Sequence, residues 1–171
     1  MVSMKKDFMI IAGPCAVESK EQIIRIAKSL KEIGVDVLRG GAFKPRTNPN
    51  SFQGLQDEGI EYLLEAKKVT GLPIITELLT IEQVKKYGNV IDIIQIGSRN
   101  MYNYELLKEV GKLNKPVMLK RGLSATYNEW LSACEYIKEN ENDNIIVCER
   151  GIRSFDNSTR NVLDLQAIPY I

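Results

Sequence analysis

Residues 38–50 read LRGGAFKPRTNPN, from Leu38 to Asn50, and the fold turns on how this stretch joins a strand to a loop. It begins as the end of an apolar run, passes through Gly40 and Gly41, and brings Arg39, Lys44 and Arg46 into one short turn-rich segment. Three cations so close together ask for an anion. Pro45 restricts the loop and the two glycines let backbone approach a ligand, so the residues predict a preformed cradle for phosphate or carboxylate. The plainer alternative is a solvated basic loop. The rest of the chain decides between the two.

Outward from this loop, short β-branched runs alternate with stretches of helical period. The runs FMIIAG, VDVLRG, PIITE, IDIIQIG, PVMLK and NIIVCE are the predicted strands, and their near-continuous apolar character implies burial on both faces. The predicted helices are Lys20 to Ile33, Gly59 to Val69, Ile81 to Tyr87, Asn103 to Leu113, Tyr127 to Lys138 and Ser158 to Ala167. Ser19, with Gln22 three residues on, predicts a capping box for the first helix, and Gly34 its close.

Strand, helix, strand with right-handed crossovers builds a parallel sheet. An open doubly wound sheet would carry a glycine-rich loop after its first strand, and IAGPCAVES has no G-x-G-x-x-G. A (β/α)8 barrel gathers its site from many strand ends instead. The ends here carry Cys15, Arg39 to Thr47, Glu77, Ser98 and Arg99, Lys120 and Arg121, and then Glu149, Arg150 and Arg153. Polar and mostly basic groups on one rim favour the α/β class, as a (β/α)8 TIM barrel. A barrel of that type takes about 250 residues, so 171 leave it short by about 80. The expectation is one catalytic barrel domain over 1–171, truncated at its C-terminal end, with about six βα units and with strands seven and eight missing. Its first and sixth strands would then have open edges, to be covered by further chain or by another copy.

The composition narrows the function classes. With 23 Lys and Arg against 22 Asp and Glu, the net charge of +1 gives no general field for nucleic acid or membrane. No apolar run approaches the roughly 20 residues of a membrane span, and Met1 to Phe8 has no signal-peptide apolar region, so a cytoplasmic location is expected. Cys15, Cys134 and Cys148 are few and far apart, which predicts reduced thiols. The absence of histidine removes the commonest general base and metal ligand.

The motifs GPCAVES, LRGGAFKPRTNP, IQIGSRNM, LKRGLSAT and ERGIRSF, in this order, resemble the 3-deoxy-D-arabino-heptulosonate 7-phosphate (DAHP) synthases. They are most similar to the small microbial type with a bare catalytic barrel. K-P-R-T is the sharpest motif, because the related 3-deoxy-D-manno-octulosonate 8-phosphate synthases have K-A-N-R there. The resemblance implies a condensation of phosphoenolpyruvate with erythrose 4-phosphate, the first step of the shikimate pathway and of aromatic amino acid biosynthesis. It implies that Arg39, Lys44 and Lys120 surround the carboxylate of phosphoenolpyruvate. Its phosphate would meet Arg99, Arg150 and the backbone N–H of Ser98, while Arg46 and Thr47 contact the sugar phosphate. Lys44 and Lys120 are the implied catalytic residues, Lys44 passing a proton to the developing alkoxide.

The resemblance also makes Cys15 one ligand of a divalent metal ion of unknown identity, with the other ligands on strands absent from this chain. One thiolate does not make a metal site, so the chain alone is expected to be inactive. A homo-oligomer is expected, with no nucleic-acid or membrane partner. The alternatives are the octulosonate synthase, a Schiff-base aldolase using Lys120, and a barrel fragment that binds phosphoenolpyruvate without turnover. Arg121 and Arg153 read equally as ligands or as ion-pair partners, and Glu77 and Glu149 as acids or, by preference, as partners for nearby arginines. Cys134, Cys148 and Trp130 read as packing residues.

Overall fold

The computed structural model describes residues 8–171. Six strands form one sheet in which spatial order follows sequence order: β1 (Ile11–Ala12), β2 (Val37–Arg39), β3 (Ile74–Glu77), β4 (Ile93–Ile96), β5 (Val117–Lys120) and β6 (Ile145–Cys148). Each lies inside a predicted apolar run. A sheet with no reversal in its order has no switch point, which sets aside the open doubly wound alternative. Six helices accompany the strands: α1 (Lys20–Glu32), α2 (Asp57–Thr70), α3 (Ile81–Tyr87), α4 (Tyr104–Gly111), α5 (Tyr127–Lys138) and α6 (Ala167–Tyr170).

The chain divides into two compact units. The first runs to Leu78 and includes Asn89–Ile94. Its strands pair in parallel, with Ile11 opposite Val37 and Leu38 opposite Ile74. Ser19 Oγ accepts from the Gln22 amide at 3.1 Å, as the capping box requires, but the Gln22 side chain reaches back to the amide of Glu18. Gly34 follows the helix end at φ +81°, which only glycine adopts without cost. α1 packs against α2, and Ile23, Ala27, Leu38, Ile60, Leu63 and Ile74 are fully buried in the core. Lys67 holds Asp92 at 2.7 Å, and Asp92 accepts from the amide of Ile74, pinning the start of β3.

The second unit comprises Leu79–Gly88 and Gln95–Ile171. β5 and β6 pair in parallel from Val117 opposite Ile145 to Lys120 opposite Cys148. Thr126 and Glu129 cap α5 reciprocally. Trp130 is buried and its indole N–H donates to the Leu119 carbonyl at 3.2 Å, so it is a packing residue that ties α5 to β5.

One predicted helix is not there. Over 158–167 the chain is irregular, and Val162 instead makes an antiparallel bridge to Ile152, with N–H to O distances of 2.8 and 2.9 Å. Helix is confined to Ala167–Tyr170. The amphipathic spacing of Val162 and Leu165 misleads because both side chains are exposed. Side-chain bonds that compete with helix, such as Asp156 Oδ1 to the Ser158 amide at 2.9 Å, and the pull of Asp164 toward Arg121 decide this segment.

Candidate active site

In the first unit the loop after β2 is closed by its own backbone. The amide of Lys44 donates to the Gln53 carbonyl at 2.8 Å and that of Gln56 to Ala42 at 2.9 Å. This closure turns Lys44 inward. Lys44 is 8% exposed, and its Nζ donates to the Cys15 carbonyl at 2.6 Å and to Cys15 Sγ at 3.3 Å. Arg39, the last residue of β2, donates from Nη1 to the Pro14 carbonyl at 3.1 Å. Arg39 and Lys44 therefore both donate to the Pro14–Cys15 segment that follows β1. Arg46 and Thr47 lie on the exposed part of the loop, where Arg46 Nε donates to the Phe52 carbonyl at 3.2 Å.

The roles expected of Gly40 and Gly41 are corrected here. Added carbon at Gly40 would meet the side chains of Leu63 and Val17 at 2.8 and 2.9 Å, and at Gly41 the Cys15 carbonyl at 2.5 Å and Lys44 Cδ at 2.7 Å. Both glycines make room for the protein's own packing. Gly41 in particular lets Lys44 fold over the residues after β1.

Electrostatics follow from this arrangement. Burial alone would raise the thiol of Cys15. The hydrogen bond and charge of Lys44, with the charges of Arg39 and Arg46, outweigh it and hold the group below the ordinary thiol range. Cys15 is exposed, so a thiol that ionises more readily than an ordinary one meets solvent. Burial pushes Cys134 up to about 11, and raises Cys148 as well; these two are the inert thiols expected. All three cysteines are free.

In the second unit, Ser98 and Arg99 begin a 3-10 turn after β4, Ser98 half-buried and Arg99 exposed. Lys120 ends β5, half-buried beside Cys148. Arg150 donates from Nη1 to the Gly151 carbonyl at 3.2 Å and to Asn161 Oδ1 at 3.0 Å. Arg121 lies at the centre of an ion array, with Nη1 at 2.8 Å from both Glu149 Oε2 and Asp164 Oδ2, Nε on the Ala125 carbonyl and the guanidinium 4.6 Å from the Tyr127 ring centre. This settles two open readings: Arg121 is an ion-pair residue and Glu149 is its partner. Arg153 is exposed, and its amide donates to the Leu123 carbonyl.

Asp164, Tyr127 and Asn161 were not among the expected site residues. Asp164 is 43 residues from Arg121 in sequence, and no periodicity links them. The available signal was Arg121 itself, an arginine after an apolar run, whose burial calls for paired partners to its several N–H donors.

A divalent cation takes three or four protein donors. Among the described residues no three His, Cys, Asp or Glu side chains are grouped to hold one. Cys15 offers one donor with a lysine amine beside it, so the described residues do not by themselves fit a metal site. Among them, no helix is long and apolar enough to cross a membrane.

The comparisons with known proteins agree with one another. The model of the DAHP synthetase I family matches residues 3–171. The phospho-2-dehydro-3-deoxyheptonate aldolase of Thermotoga maritima is 52% identical over 96% of this chain and 48% of its own length. A crystal structure of a protein of that name from Thermotoga maritima superposes with a TM-score of 0.90 at 51% identity, covering 95% of this chain and 47% of the other. A 2-dehydro-3-deoxyphosphooctonate aldolase of Arabidopsis thaliana is more distant, 34% identical over 84% of this chain and 52% of its own. The chain thus spans about half the length of these curated relatives.

Proposed function

Since the chain belongs to the DAHP synthetase I family, we propose that it carries the phosphoenolpyruvate-binding part of a DAHP synthase, with its strands and helices forming six βα units of a (β/α)8 barrel. The reaction is the condensation of phosphoenolpyruvate with erythrose 4-phosphate. Carbon 3 of phosphoenolpyruvate attacks the sugar aldehyde, water adds at carbon 2, and inorganic phosphate leaves, giving the heptulosonate phosphate. The greater distance of the octulosonate relatives and the K-P-R-T motif support the four-carbon sugar phosphate.

The supporting observation is the donation of Arg39 and Lys44 to the Pro14–Cys15 segment. The hydrogen bonds of both cations end on carbonyls and a thiol, so their positive charge is held in place with little neutralisation. That is the preorganised electrostatics an enolpyruvate carboxylate needs, because the donors do not have to reorganise when it arrives. Arg39 and Lys44 take the carboxylate, and Lys44 Nζ is the proton donor to the developing alkoxide. Arg46 and Thr47, exposed on the same loop, bind the sugar phosphate. In the second unit Arg99, Arg150 and the Ser98 N–H are the proposed phosphate contacts, and Lys120 is the second catalytic lysine. Cys15 would be one donor to a divalent metal, which would supply polarisation of the sugar aldehyde. No step here is routed through it, because its other donors are not grouped among the described residues.

Calorimetric titration of the 171-residue chain with phosphoenolpyruvate, with and without divalent metal, tests the reading. Saturable binding in both conditions is expected. Absence of binding in both, from a chain shown to be folded by circular dichroism, would remove the proposal.

A further inference from the structure

The ion array of the second unit reaches Arg150 through a continuous chain of hydrogen bonds. Tyr127 donates its hydroxyl to Asp164 Oδ2 at 2.7 Å, and Arg121 Nη1 donates to that same oxygen at 2.8 Å. The other Nη1 bond of Arg121 goes to Glu149 Oε2 at 2.8 Å. Oε1 of Glu149 then accepts from the backbone amide of Arg150 at 2.8 Å and from that of Gly151. A second link comes from the same loop: Asn161 Oδ1 receives Arg150 Nη1, and Val162 bridges Ile152. Gly151 takes φ +85° with Asn161 so near that a Cβ would lie 2.9 Å from it, so this turn admits only glycine.

We propose that Asp164 is a positioning residue for Arg150, acting through Arg121 and Glu149. Its carboxylate touches no residue assigned to substrate above, so any effect on ligand must pass through the array. The physical reason is the geometry of a guanidinium. With Nε committed to the Ala125 carbonyl and both Nη1 hydrogens committed to carboxylates, Arg121 has a single orientation, and Glu149 is held with one oxygen turned toward the loop amides. Without Asp164 the guanidinium loses the restraint on one side, and Glu149 can follow it away from the amides of Arg150 and Gly151. The loop after β6 is then free to carry Arg150 out of its phosphate-binding position. For a residue acting from behind the binding group, the expected loss is about tenfold.

This inference rests on the reading that Arg150 binds phosphoenolpyruvate, and the test separates the two. Asp164→Asn keeps the shape and removes the charge. Amide hydrogen exchange is read at Arg150 and Gly151, with Leu107 in α4 as internal control, and phosphoenolpyruvate affinity is read by calorimetry on the same samples. The expected result is exchange about tenfold faster at Arg150 and Gly151 but unchanged at Leu107, with affinity weakened about tenfold. Unchanged exchange at Arg150 and Gly151 overturns the proposal. So does faster exchange with undiminished affinity, because Arg150 would then not need the array to bind. If the unsubstituted chain binds no phosphoenolpyruvate, the functional reading fails, and exchange alone still decides whether Asp164 orders the Arg150 turn. Should Asp164→Asn fail to fold by circular dichroism, Tyr127→Phe, which removes one bond from the same carboxylate, carries both readouts.

Discussion

Lys44 and Arg121 are equally hidden, 8% and 6% exposed, and each follows an apolar strand, yet they are satisfied in opposite ways. Lys44 gives its hydrogen bonds to a carbonyl and a thiol, so its charge persists and lowers the titration of its neighbour Cys15. Arg121 lies between two carboxylates, 2.8 Å from each, and its charge is more than cancelled by them. A buried cation that keeps its charge is costly unless a ligand anion is to arrive, whereas one locked by carboxylates costs little and fixes geometry. The difference separates a charge left open from one neutralised in place. On the reading proposed above, the loop after β2 would bind, and the ends of β5 and β6 with the Asp164 loop would brace Arg150.

The largest effect expected from this contrast is on stability. Arg121→Ala leaves Glu149 and Asp164 facing each other with no cation, and should lower unfolding free energy by about 3 kcal/mol in urea titrations. Arg46→Ala, on the exposed loop, should change it by less than about 0.5 kcal/mol. Equal values for the two would erase the distinction.

A pH titration of stability comes next. Asp164 titrates below its usual range, first because Arg121 donates to it and then because Tyr127 does. A depressed folded value means a contribution present above the unfolded value and lost as pH falls through the folded one. The stability gap between wild type and Asp164→Asn should hold steady above about pH 5 and close progressively in more acid solution. A gap that widens in acid would assign the wrong sign to the array.

The smallest effect is chemical and belongs to the loop after β2. Lys44→Met removes the nearest cation from Cys15, so the thiol should rise and alkylation by iodoacetamide at pH 7 should slow about threefold. An unchanged rate would mean that Lys44 does not set the electrostatics there.

Much of this was legible in the chain. The six strands stand where unbroken β-branched runs place them, and α3 and α5 begin and end as the apolar spacing requires. Arg39, Lys44 and Arg46 were visible because three cations fall within eight residues around a proline. What was hidden depends on contacts distant in sequence. Nothing near Asp164 announces a partner 43 residues away, and the same partner is what draws 158–167 out of the expected helix. Gly40 and Gly41 misled for a related reason, since a glycine's close neighbour can be a ligand or the protein's own atoms, and that depends on contacts made only in the fold.

The central claim is that Lys44 holds its charge for an incoming carboxylate, and calorimetry of phosphoenolpyruvate binding to wild type and Lys44→Met at one ionic strength tests it most directly. Loss of a buried charge-assisted contact should weaken binding by about tenfold or more. Equal dissociation constants for the two proteins would contradict the account.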